Sequence, residues 1–227
     1  MPILFFGDLD AYRASPLRVV TVGLNPSRKE FPAGEPFSRF PLAEDNRDRE
    51  PSRYLDAMSA YFCTDPYSGW FNAFEPLLDR LGASYYKGAA STALHTDICS
   101  PVATDPTWSR LDKTSRATLE ADGGPLWHKL LEELRPQIVA ISVAKAHLGR
   151  IEFEPVADGE CIHAFKRKAN GELRKRPYEI RAQWYHVGGK HSLFVFGTAG
   201  VKPFQLLADC QKRQAGKMLL EAYLDGR

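Results

Sequence analysis

Four short, mostly apolar runs punctuate the chain: Val19–Val22, Ala93–Ile98, Ile138–Val143 and Leu193–Phe196. Each has the length and bounding turn residues of a strand buried on both faces. Helical patterns fill the intervals. Arg53–Cys63 and Trp70–Leu81 precede the second run, and Pro125–Leu134 precedes the third, with Trp127, Leu130, Leu131 and Leu134 forming one apolar stripe. Phe204–Leu224 follows the fourth run, and Gly82 stands where a helix C-cap is expected after Leu81. Strands separated by helices predict a three-layer α/β/α fold with a short, mostly parallel, four-stranded sheet. Two stretches break the alternation. Residues 28–51 are polar, charged and too long for a casual connection, so they are expected to shape a site. Residues 152–185 read as an inserted β-hairpin around Asn170-Gly171, a favoured two-residue turn.

Composition narrows the class without choosing a function. At 227 residues the chain suits one domain, 1–227, with the hairpin as an insertion. Apolar content of 44% and charged content of 26% are those of an ordinary globular protein. A net charge of +2 permits a nucleic-acid partner without arguing for one. No apolar run approaches the roughly 20 residues that span a bilayer, and the opening Met-Pro-Ile-Leu-Phe-Phe-Gly-Asp is no signal peptide. A cytoplasmic monomer is the expectation. Cys63, Cys99, Cys161 and Cys210 form no close pair, and the six histidines show no ligand spacing, so no metal or cofactor is predicted.

Candidate chemistry concentrates at the ends of the predicted strands. Leu17–Val22 runs into Gly23-Leu24-Asn25-Pro26-Ser27, an abrupt turn of the kind that opens a ligand site in α/β sheets. Gly34-Glu35-Pro36-Phe37-Ser38 follows, and the second strand leads into Thr96-Asp97-Ile98-Cys99-Ser100-Pro101-Val102-Ala103-Thr104-Asp105-Pro106-Thr107. A helix and the strand Arg135-Pro136-Gln137-Ile138-Val139 come next. In this order the motifs resemble the uracil-DNA glycosylase superfamily, over roughly residues 17–150 and more loosely near 192–207. Its members open with GQDPY, GINPG or GEAPG.

The resemblance implies a monofunctional enzyme that flips a base out of DNA and hydrolyses its N-glycosidic bond, leaving an abasic site. Asn25 takes the place of the water-positioning residue, with Leu24 beside the base and Ser27 at the phosphate. Hydrogen bonding within its own loop is the plainer role for Asn25. Phe37 falls where an aromatic stacks on the base, with Phe40 as its substitute; a core position is the alternative. Asp97 stands where uracil-reading relatives carry Asn. An ionised carboxylate only accepts, which suits the exocyclic amine of cytosine and opposes uracil O4. A modified cytosine is therefore the expected substrate, against the alternative of Asp97 as a helix cap or ion-pair partner.

No lysine in the first motif is available for a Schiff base, so strand nicking is not expected. The cysteine spacing does not match the iron–sulfur branches. The family's last motif, His-Pro-Ser, is missing; Thr198, Ala199, Gly200 and Lys202 occupy its place as expected phosphate contacts. Lys166, Arg167, Lys168, Arg174, Lys175 and Arg176 make the hairpin basic, either to grip DNA backbone or as a solvated face. DNA repair is the implied setting. The rival functions are a glycosylase-like module that binds DNA or a partner without cutting, and a hydrolase of free nucleosides or nucleotides.

Overall fold

The structure, a computed structural model, describes residues 2–27, 30–32, 35, 37–44, 50–197 and 204–226. In chain order the elements are α1 (Leu9–Ala14), β1 (Val19–Gly23), α2 (Pro41–Glu44), α3 (Pro51–Ser59), α4 (Ser68–Phe71), α5 (Glu75–Leu78), β2 (Ala83–Ser84), β3 (Ser91–Asp97), α6 (Lys113–Leu134), β4 (Ile138–Ile141), β5 (Glu160–Arg167), β6 (Leu173–Val187), β7 (Lys190–Gly197) and α7 (Asp209–Asp225). The class is α/β, and the strands form one sheet in the order β2-β3-β1-β4-β7-β6-β5.

The four predicted strands lie side by side as β3, β1, β4 and β7, all parallel. Their alternation places side chains by pleat. Thr96 turns to one face, where its hydroxyl accepts from Trp127 Nε1 of α6 at 3.1 Å. His95 turns to the other, against Phe71 and Phe74, with ring centroids 5.1 and 6.1 Å away. That second face also carries α7, whose Gly216 sits so close to α5 that a Cβ would lie 2.4 Å from the Leu77 carbonyl.

Among the described residues the sheet has seven strands, not four, and is mixed. The inserted hairpin does not stand apart: β6 pairs antiparallel with β7 from Val187↔Lys190 to Ile180↔Gly197, satisfying an edge that would otherwise offer unpaired backbone. Gly188 and Gly189, at φ +55° and +77°, close that pair in a two-residue turn requiring positive φ at both positions. The Asn170-Gly171 turn joins β5 to β6, with Gly171 at φ +86°.

The four helix expectations also change: Arg53–Cys63 is α3 followed by a 3-10 turn at Tyr61–Cys63, Phe204–Leu224 is a 3-10 turn at Phe204–Leu206 and then α7, and the other two change more. The segment 70–81 is not continuous: α4, α5 and a 3-10 turn at Asp79–Leu81 divide it, and Pro76 starts α5 at a position that cannot donate to a preceding turn. Gly82 does end it, in the left-handed conformation at φ 64°. The helix predicted from Pro125 begins at Lys113, because the Asp112 carboxylate accepts from Ser115 N at 2.9 Å and caps it; Pro125 is carried inside.

Candidate functional site

The C-terminal ends of β1 and β3 lie level, Gly23 opposite Asp97. Pairing continues past them: Ile98 N donates to Gly23 O at 3.1 Å and Cys99 N to Leu24 O at 3.0 Å. Thr104 N then reaches Pro26 O at 3.3 Å, and Ser27 bridges to Thr104. The two loops read separately in the sequence are thus one scaffold. Above it opens a hollow of about 260 Å³, smaller than the roughly 300–1,000 Å³ typical of drug-sized ligands and suited to a single ring system.

Leu24, Asn25, Ser27 and Asp97 all line this hollow. The Asn25 amide is oriented: its Nδ2 donates to Pro26 O at 2.7 Å and to Thr104 Oγ1 at 2.9 Å. Both hydrogens are thereby committed to the loops, leaving Oδ1 as the acceptor available to a water. Loop bonding and a water-positioning role are therefore compatible in this residue. Asp97 caps no helix; it is buried at the end of β3, its Oδ1 3.8 Å from His95 Nε2. Gly23 makes that arrangement possible, since a Cβ there would come 2.6 Å from Asp97 Oδ1 and 2.9 Å from His95 Nε2.

His95 is held from behind. Its Nδ1 lies 2.7 Å from Thr21 Oγ1, which in turn meets the buried Tyr85 hydroxyl. This chain of contacts fixes the orientation of the ring and leaves Nε2 facing Asp97.

Glu30 is the second acid of the hollow and has no counterpart in the sequence-based assignment. Burial pushes its carboxyl up to about 8, against a hydrogen bond from the Tyr61 hydroxyl at 2.5 Å, with the negative charge of Asp97 adding to the rise and Arg39 opposing it. Burial likewise keeps the Tyr61 phenol protonated, so it is the donor, and it also accepts from Tyr67 N at 2.9 Å. At neutral pH Glu30 is a carboxylic acid able to donate, in the same hollow as the Asp97 carboxyl group.

The aromatic wall comes from Tyr67, Trp70 and Phe71. Phe37 is not part of it: it lines a separate apolar hollow with Leu4, Tyr54 and Met58. Phe40 lies in the core, stacked on Phe31 at 5.4 Å and 8°. The turn Phe37–Phe40 and the packing of Phe31 and Phe40 on Phe6 direct these rings away from the strand ends. Gly34 and Pro36 lie outside the described residues, as do Thr198, Ala199, Gly200 and Lys202.

The basic hairpin reaches the same rim by another route. Pairing of β6 with β7 starts at Ile180↔Gly197, so Leu173–Glu179 run past the C-terminal end of β7 by about 20 Å. The tip therefore projects on the side of the sheet where the hollow opens, three strands or roughly 15 Å across from β1. Lys166, Arg167, Lys168, Lys175 and Arg176 are exposed there. Arg174 is half-buried, bonded to Arg167 O and Gln211 Oε1 and stacked 5.7 Å over Tyr178, and Lys168 pairs with Glu172.

No helix among the described residues is long and apolar enough to cross a membrane. No family model, curated protein or solved structure matches the chain.

Proposed function

We propose that the chain is a monofunctional DNA glycosylase that removes a cytosine-type base, a modified cytosine in preference to uracil. The observation that carries the reading is the presence of both Asp97 and Glu30 in the lining of one small aromatic-walled hollow at the ends of β1 and β3. A cytosine edge offers an amine donor beside the N3 acceptor, the complement of a carboxylate beside a carboxylic acid. Uracil offers the reverse order. Tyr67, Trp70 and Phe71 supply the faces on which a flipped base stacks, a contact worth roughly 1–3 kcal/mol.

In the reaction the glycosidic bond stretches, positive character grows on the sugar and the base carries the departing electron pair. Asn25 Oδ1 accepts from a water and aims its lone pair at the anomeric carbon; an amide is too weak a base to take the proton, so departure runs ahead of attack and the proton shed as the new C–O bond forms passes to the departed base anion. The Glu30 acid donates toward the departing base and offsets its charge, a part the missing histidine would otherwise take. The basic tip holds phosphate on the same rim.

Oligonucleotides carrying uracil, mismatched thymine, cytosine or 5-substituted cytosines, single- and double-stranded, test this by alkali-revealed abasic sites. Release of a cytosine-type base is the expected result. Release of uracil alone removes the Asp97–Glu30 reading while keeping the enzyme, and release of nothing removes the glycosylase.

A further inference from the structure

We propose that Cys99, Glu120 and His147 form a binding site for a borderline divalent transition-metal cation with the preferences of zinc, distinct from the base-sized hollow. The three come from separate elements: the turn after β3, the outer part of α6, and the 3-10 turn Lys145–Arg150. One ligand atom from each lies within 4.8 Å of the others, and Cys99 Sγ is 3.9 Å from His147 Nδ1. Tetrahedral zinc, with bonds of about 2.3 Å to sulfur and 2.0–2.2 Å to nitrogen or oxygen, sets its ligand atoms roughly 3.3–3.6 Å apart. Closure by about an ångström brings the three into range.

The surroundings hold these side chains together. Gly123 of α6 packs against the Cys99 turn so tightly that a Cβ would lie 2.3 Å from Cys99 O. Arg150 pairs with Glu120 Oε1 and fixes the carboxylate. Such outer partners orient metal ligands. Thiolate, imidazole and carboxylate together favour zinc or a similar ion over calcium or magnesium.

Cys99 and Glu120 also line a hollow of about 440 Å³, which leaves a fourth position for water or a small ligand. His128 borders the same hollow but is not that fourth ligand. Its Nδ1 lies 2.8 Å from Gly124 O, and its Nε2 accepts from Glu152 N at 3.0 Å.

The test is a cobalt(II) titration of chelator-stripped full-length protein followed by absorption, with zinc uptake measured by equilibrium dialysis. The expected result is one equivalent of each metal, with a thiolate-to-cobalt charge-transfer band that Cys99→Ser abolishes. His147→Ala should weaken zinc binding by about tenfold or more at unchanged circular dichroism. Its half-exposed side chain makes this variant decisive should Cys99→Ser fold poorly. Absence of saturable uptake overturns the proposal. So does uptake that both variants leave unchanged, which would assign the metal to exposed groups such as Cys161 and His191.

Discussion

Asp97→Asn isolates the base-reading chemistry with almost no change of shape. The residue is buried, and His95 Nε2 stands 3.8 Å from its Oδ1, beyond a hydrogen bond. The carboxylate's acceptor capacity is therefore directed into the hollow, and the amide that replaces it fits the same space beside Gly23. Loss of one charge-assisted bond to the exocyclic amine costs about 1.5–3 kcal/mol, or roughly 10- to 150-fold in kcat/KM on a cytosine-type base. The new NH₂ group faces the O4 of uracil instead, so uracil release rises relative to cytosine. Removal of the Asp97 charge also lowers the Glu30 pKa, because that charge is one of the influences holding it up. Single-turnover release from paired oligonucleotides, one with a 5-substituted cytosine and one with uracil, measures the ratio directly. A ratio unchanged within about twofold, in a variant folded like the wild type, refutes the reasoning.

Gly23→Ala forces a methyl to 2.6 Å from Asp97 Oδ1; stability should fall by about 1–3 kcal/mol and base release with it, checked by urea unfolding and the same oligonucleotides. Glu30 binds a proton up to about pH 8 when folded but releases it near 4.5 when unfolded. Stability should therefore decline as pH rises between those values, by about 1.4 kcal/mol per unit from this group, and the decline should flatten in Glu30→Gln. Parallel unfolding curves for the two proteins would contradict the assignment. Replacing exposed Lys175 and Arg176 together by Ala should reduce the slope of log affinity against log salt by up to about 2, with base preference untouched. Gly123→Ala should destabilise by a similar 1–3 kcal/mol as α6 is pushed off the Cys99 turn, read as a fall in Tm.

The parallel core was legible because buried strands announce themselves as short apolar runs, and the Asn170-Gly171 turn because its chemistry is local. The joining of β6 to β7 was not. Arg181, Gln183 and His186 interrupt the apolar pattern of β6, and its pairing with β7 is a non-local event signalled only by Gly188-Gly189. The long start of α6 was hidden by a largely exposed, polar first half without an apolar stripe. At the site, Asn25 and Asp97 stood out because each follows an apolar strand. Glu30 and Tyr67 sit in irregular segments and Trp70 in the single-turn α4, too short to show a period, and only tertiary packing turns them inward. Phe37 was misplaced for the same reason: an aromatic in an irregular segment gives no sign of which way it faces. Cys99, Glu120 and His147 escaped notice because ligand spacing is a local signal and these come from three separate elements.

The proposed activity is the breaking of a glycosidic bond in the Asn25 hollow. The direct measurement is single-turnover release of a 5-substituted cytosine from an oligonucleotide by the wild type and by Asn25→Ala. The account predicts an alkali-labile abasic site with the wild type, slowed by about 10²-fold or more in the variant, whose oligonucleotide affinity is retained. Equal release by the two proteins, or none by either, would contradict it.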